Sequence, residues 1–174
     1  FDAFELARKC GFDNINTDLI AGLPTDTPES FKNSLDSIVR LNAECITVHT
    51  LCMKRASRLT TEGVTLDLQQ ARDAREMLAY TQNILGQNEY IPYYMYRQSR
   101  MVGNLENVGW SKRGFESLYN VYVMDETHTI LACGSGGVTK LKRNNPDYLE
   151  RIFNFKYPYE YIDRFDELIQ RKSG

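Results

Sequence analysis

The sequence predicts an α/β chain in which two parallel strands lead into a smaller α+β region, and three observations carry that reading. Two short apolar, β-branched runs, residues 14–21 and Cys45 to Leu51, flank a helix with a clear start signal. A second long helix, from Asp67 to about Asn88, repeats apolar residues at helical spacing. Beyond it the pattern changes to aromatic extended stretches, a hairpin pattern and short helices.

Phe1 to Gly11 reads as a helix already under way: Phe1, Phe4 and Leu6 are apolar, Arg8 and Lys9 fall in the last turn, and Gly11 is a C-terminal stop. A helix with no start signal suggests the C-terminal part of a longer protein. Ile15, Leu19, Ile20 and Ala21 suit a strand buried on both faces. Gly22 to Asp26 is a turn cluster, and Thr27-Pro28-Glu29 supplies a capping hydroxyl, a proline at the first helical position and a first-turn carboxylate. Phe31, Leu35, Ile38 and Val39 then give a helix to about Asn42, so strand, helix and strand make one βαβ unit with parallel strands. In the second helix, Leu68, Ala71, Ala74, Met77, Leu78, Thr81 and Leu85 share a side.

Tyr90 to Tyr96 is extended. Tyr119 to Met124 and Thr129 to Cys133 flank a polar turn, Asp125 to His128, and are expected to pair as a hairpin. Asn145-Pro146 begins a short helix, and Pro158 a last one carrying Ile162, Phe165, Leu168 and Ile169.

Composition narrows the function. With 174 residues the chain is long enough to bury a core. The net charge of −2 offers no field for nucleic acid or an anionic membrane. No apolar run reaches the roughly 18 residues of a membrane span. Cys10, Cys45, Cys52 and Cys133 lack metal-ligand spacing, so no metal site is expected; buried thiols suit a reducing cytoplasm. Lys112-Arg113-Gly114-Phe115 begins like an RNA-recognition signature but is broken by Glu116 and Ser117. His49 and His128 lie far apart, and His49 fits a buried strand.

Asp18 raises the chemical question. Side chains toward the C-terminal ends of parallel strands face the ligand crevice of α/β sheets and barrels. A carboxylate there can accept two hydrogen bonds from a ribose diol, while Gly22 lets backbone approach a ligand. It can equally cap a turn or pair with an arginine. Tyr90, Tyr93, Tyr94 and Tyr96 could stack on a base or a tetrapyrrole, or simply form a half-buried strand with hydroxyls at its rim. Gly134 to Gly137 could cradle a phosphate or serve as loop glycines.

Taken together, several stretches in order resemble one family. Asn16-Thr17-Asp18-Leu19-Ile20-Ala21-Gly22-Leu23-Pro24, followed by Thr27 to Phe31, resembles the penultimate barrel strand of radical S-adenosylmethionine enzymes. Within these it is most similar to the oxygen-independent coproporphyrinogen III oxidases. Ile46 to Leu51 resembles the last barrel strand. Tyr93 to Gln98, Asn104 to Trp110 and Leu131 to Gly137 are similar to the second, oxidase-like branch of that family. The resemblance covers nearly the whole chain.

It implies the C-terminal part of a partial (β/α)6 barrel, contributing its last two strands over residues 1–58, and an oxidase-type region over residues 59–174. By the resemblance Asp18 bonds the ribose hydroxyls of S-adenosylmethionine. Gly22 and the backbone near Ile20 and from Thr50 to Cys52 border the adenosine. Gly134 and Gly136 belong to a loop on the substrate side. The implied reaction reductively cleaves S-adenosylmethionine at a 4Fe–4S cluster and decarboxylates porphyrinogen propionates to vinyl groups, in haem biosynthesis. Its partners would be a tetrapyrrole and an electron donor. The C-x3-C-x2-C motif of the cluster is absent from this sequence, so the cluster is expected on a preceding part of the protein and the chain alone should be inactive. The same family contains haem-binding chaperones, which is the alternative reading. Catalytic side chains cannot be assigned from the resemblance.

Overall fold

The computed structural model describes residues 1–52, 68–97, 103, 105–142 and 148–173. It divides into two compact units, Phe1–Ser117 and Leu118–Gly174. The expected division at 58/59 lies outside the described residues.

In the first unit, helix α1 (Asp2–Lys9) carries Asp2 and Glu5 in its first turn and Arg8 and Lys9 in its last, matching the helix dipole at both ends. Strand β1 (Asn16–Ala21) leads through a turn to α2 (Pro28–Leu41). Thr27 caps that helix by accepting from the Ser30 amide at 3.2 Å, and Asn42 ends it in the left-handed region at φ 60°. Strand β2 (Cys45–Thr50) returns beside β1, parallel to it, with Asp18 opposite Thr47 and Ala21 opposite Thr50. Helix α3 (Leu68–Gln87), β3 (Ile91–Tyr96) and β4 (Asn107–Ser111) complete the unit. The sheet order is β1-β2-β4-β3; β4 runs antiparallel to both neighbours, so the sheet is mixed.

Alternation divides this sheet into two faces. Leu19 and Ala21 of β1, Ile46 and Val48 of β2, and Val108 and Trp110 of β4 pack with Phe31 and Leu35 of α2 and Met77 and Leu85 of α3. Burying each of the large apolar side chains contributes about 2 kcal/mol. The expectation that β1 is buried on both faces fails. Asn16, Asp18 and Ile20 are exposed while Leu19 and Ala21 turn inward, because the two helices cover a single face.

The second unit holds helix α4 (Leu118–Asp125), a hairpin of β5 (Val138–Lys142) and β6 (Leu149–Phe153), and helices α5 (Pro158–Asp163) and α6 (Phe165–Ser173). A hairpin exists, but not between the segments expected. Tyr119 to Met124 is helical, and Ile130 instead bridges Lys140 of β5. The helix is closed by Glu126 at φ 54°, and the Lys140 ammonium donates to the Val123 carbonyl at 3.1 Å, satisfying an end group that local β-propensity ignores. Leu149 to Phe153 is strand where a short helix was expected, because Ile152 pairs with buried Thr139; the proposed start at Asn145-Pro146 lies outside the described residues. The terminal helix breaks at Arg164 into two.

Candidate functional site

The face of the first sheet opposite α2 and α3 is polar. Its N-terminal end is closed by the chain after β4: Asn14 Nδ2 and Cys45 Sγ both donate to the Phe115 carbonyl, at 3.2 and 3.0 Å. Burial, with the Glu44 and Glu116 carboxylates nearby, pushes the Cys45 thiol up to about 11, so it stays protonated and inert.

Asp18 lies in the middle of that face, the third of the six residues of β1 and opposite Thr47, rather than at the C-terminal end of the strand where the sequence reading placed it. Its Oδ1 accepts from Asn16 Nδ2 at 2.7 Å, and its Oδ2 stands 3.9 Å from His49 Nε2. The second separation exceeds a hydrogen bond. The carboxylate is thus held through one oxygen, and the side chain is more than half exposed. His49 Nδ1 lies 3.4 Å from the Tyr96 hydroxyl, and the Tyr96 ring stacks nearly parallel on Tyr94 at 6.3 Å between centroids. Tyr94 OH is 3.3 Å from Thr47 Oγ1, which donates to Asn16 Oδ1 at 3.1 Å. Burial raises the Tyr94 phenol above its ordinary value, with Tyr93, Tyr96 and Asp18 adding to the rise against the Thr47 contact. Three strands therefore contribute to one polar cluster.

Gly109 makes room for it. A Cβ built there would lie 1.8 Å from Tyr94 Cε1, so the tyrosine ring lies flat against the β4 backbone across the strand pair. A glycine inside a strand-like run was the available signal, and neither this role nor that of Asn16 and Thr47 was read from sequence.

The sequence-derived site residues fall into three groups. Asp18 and Ile20 share the polar face of β1, and Ile20 is 42% exposed. Gly22, Thr50 and Cys52 lie at the adjoining C-terminal ends of β1 and β2, where the Leu51 amide donates to the Ala21 carbonyl. Gly22 takes φ 85°, which favours glycine, but its buried amide points at Met77 Sδ, 3.3 Å away on the helix side. Thr50 is buried with its amide on Asn107 Oδ1 at 2.7 Å and its hydroxyl on the Glu106 carbonyl, and Cys52 is half-buried. Gly134 and Gly136 sit in the second unit, both at positive φ. Asn154 Nδ2 donates to the Gly134 carbonyl at 2.7 Å, and the Gly136 amide donates to Phe155 O at 2.8 Å, which fixes this loop from within its own unit.

Among the described residues no three His, Cys, Asp or Glu side chains gather into a metal site, and no helix is long and apolar enough to cross a membrane. The tyrosine stretch is split by the register shift between Pro92 and Tyr94, since Tyr90, Tyr94 and Tyr96 would share one face under strict alternation. Tyr94 and Tyr96 join the polar cluster, whereas Tyr90 is buried in the core with its hydroxyl on the Ala43 carbonyl at 2.5 Å.

No family model matches the chain. It is 36% identical over 171 residues to the oxygen-independent coproporphyrinogen-III oxidase-like protein HemZ of Bacillus subtilis, across 98% of this chain and 34% of that protein. It is 29% identical over 154 residues to the heme chaperone HemW of Lactococcus lactis, across 83% of this chain and 36% of that protein. The chain thus spans about a third of the length of these curated relatives. Among solved structures, the coproporphyrinogen III oxidase HemN of Escherichia coli, described as a radical SAM enzyme, superposes with a TM-score of 0.62 at 18% identity. That superposition covers 95% of this chain and 37% of HemN, and it shows a shared fold. With a sequence relation running over nearly its whole length and a fold to match, the chain belongs to the oxygen-independent coproporphyrinogen III oxidase-like family.

Proposed function

We propose that the chain is the C-terminal part of a radical S-adenosylmethionine oxidase that decarboxylates porphyrinogen propionates, and that Asp18 holds the ribose of S-adenosylmethionine. The observation that carries this reading is the state of the Asp18 carboxylate. It stands mid-strand on the polar face of two parallel strands, with Oδ1 fixed by Asn16 and no hydrogen bond from the described residues on Oδ2. That pair of acceptor oxygens fits a ribose diol, with the exposed Ile20 side chain two residues along the same face as an apolar neighbour for adenine. In a barrel, the face opposite the helices is the interior. On this reading β1 and β2 are the last two strands of a partial (β/α)6 barrel, Gly22, Thr50 and Cys52 border the adenosine through backbone, and Gly134 and Gly136 line the substrate side.

S-adenosylmethionine supplies one-electron chemistry that side chains cannot; this chain's part is to bind and orient it and to keep water from it. The 4Fe–4S cluster does not fit the described residues, which offer no ligand set, and no step is assigned to it in this chain. The remaining partners are a tetrapyrrole and an electron donor acting on the rest of the protein.

The test is binding of S-adenosylmethionine to the full-length protein. Asp18→Ala should weaken it roughly ten- to a hundredfold, the worth of a charged hydrogen bond of about 1.5–3 kcal/mol, with the unfolding midpoint unchanged. Unchanged affinity would remove Asp18 from the site. Similarity to HemW gives a second reading, a haem-handling chaperone, specific support. Consumption of coproporphyrinogen III with cleavage of S-adenosylmethionine favours the oxidase. Tight haem binding without decarboxylation favours the chaperone.

A further inference from the structure

We infer that Asn16 is the positioning residue of Asp18, and that Thr47 and Tyr94 hold Asn16 in turn; the inference rests on the reading of Asp18 as the ribose-binding carboxylate. An aspartate on an exposed strand face turns freely about both side-chain torsions, and a ligand that needs one orientation must stop that motion. Asn16 lies two residues before Asp18, on the same strand and face, so alternation alone brings the two side chains together. Its amide donates to Oδ1 at 2.7 Å, the short distance of a charge-assisted bond.

The other end of the amide is also held. Asn16 Oδ1 accepts from Thr47 Oγ1 at 3.1 Å, and Thr47, 99% buried on the central strand β2, cannot swing away. Having donated, the Thr47 hydroxyl can accept from Tyr94 OH at 3.3 Å. The donors then run one way, from Tyr94 to Thr47 to Asn16 to the carboxylate. This direction forbids the flipped amide, which would turn the Asn16 oxygen onto Asp18 and set two acceptors against each other. The anchor of the row is rigid because the Tyr94 ring lies flat on Gly109, where a Cβ would meet Cε1 at 1.8 Å. Asn16 takes a single lone pair of the carboxylate. Among the described residues Oδ2 and the remaining site on Oδ1 stay open for the two ribose hydroxyls, since His49 Nε2 at 3.9 Å is too distant to occupy Oδ2.

A positioning role separates from a contacting or purely structural one in a double-mutant cycle on S-adenosylmethionine binding, measured by calorimetry on the full-length protein. Asn16→Ala should weaken binding about three- to tenfold, the cost of ordering one freed side chain, with no shift in the unfolding midpoint. In the Asp18→Ala background the same substitution should change affinity by less than about twofold. Thr47→Val keeps the shape while removing the donor to Asn16, and should show a smaller loss that likewise vanishes without Asp18. Equal losses from Asn16→Ala with and without Asp18 would overturn the inference, as would an Asn16→Ala protein that binds normally while Asp18→Ala does not. If Asp18→Ala itself binds normally, the ribose reading fails first and takes the positioning role with it.

Discussion

The polar cluster depends on one missing methyl group. Gly109 of β4 faces Tyr94 of β3, and the ring occupies the place a Cβ would take. Gly109→Ala should therefore expel the ring, strain two strands and destabilise the first unit by about 1–3 kcal/mol, as overpacking does. The same substitution in a Tyr94→Ala background should be close to neutral, because the three atoms nearest the added Cβ all belong to that ring. Urea midpoints of the four proteins check this; an equal loss in both backgrounds would place the strain in the β4 backbone. A second residue-scale prediction concerns thiols. Cys10 and Cys133 are exposed, while Cys45 is buried, bonded to the Phe115 carbonyl and raised to about 11. Iodoacetamide at mild alkaline pH should label Cys10 and Cys133 in the folded chain and Cys45 only after unfolding. Asp18 was visible in the sequence at this scale because a carboxylate in an apolar run stands out, its ligand role being the proposal made above. Gly109 and Asn16 were not, since their meaning lies in partners on other strands.

Among elements, α1 is tied to the sheet by one ion pair. Arg8 donates to both oxygens of Glu44, at 2.6 and 2.7 Å, and the Ile15 amide donates to Oε2 at 3.0 Å, joining α1, the entry to β1 and the start of β2. Burial by itself would raise the Glu44 carboxyl; the Ile15 amide and Arg8 together outweigh it, and its value falls below the ordinary carboxylate range. A lowered value means stability present above the unfolded pKa and lost as pH falls through the folded one. Arg8→Ala should cost about 1–3 kcal/mol near neutral pH and leave a shallower acid limb, read as urea midpoints from about pH 7 down to 3. A parallel downward shift at every pH would mean that Arg8 acts through packing on Phe4 rather than through charge. The legible elements are those with signals of their own: the Thr27-Pro28 start of α2, the β-branched run of β2, the helical period of α3. The others are decided elsewhere. Asn107–Ser111 holds Asn, Gly and Ser and becomes strand because β2 and β3 flank it on both sides. Leu118–Asp125 is rich in strand formers and becomes helix because β5 supplies its end with a cation.

At the level of the whole molecule, the two edges of the first sheet are treated differently. β3 carries Pro92 and a register shift between Pro92 and Tyr94, both of which blunt an edge against further pairing. β1 carries neither proline nor lysine over Asn16–Ala21. The Ile15 and Ala21 carbonyls are taken by β2, so by the alternation of a parallel ladder the amides of Asn16, Asp18 and Ile20 point to the open side. Two parallel strands cannot say from sequence how many others complete a sheet, but among the described residues β1 is an edge with a row of open-side amides, which is what the barrel reading requires. The chain expressed by itself should therefore associate through β1 as concentration rises, measured by sedimentation velocity. Ile20→Pro removes one open-side amide without touching the β1–β2 ladder, so it should abolish association while leaving the unfolding midpoint of the sheet in place. A chain that stays monomeric at high concentration with β1 intact would mean that the edge is already protected, and a barrel completed by strands from elsewhere would lose its main structural support.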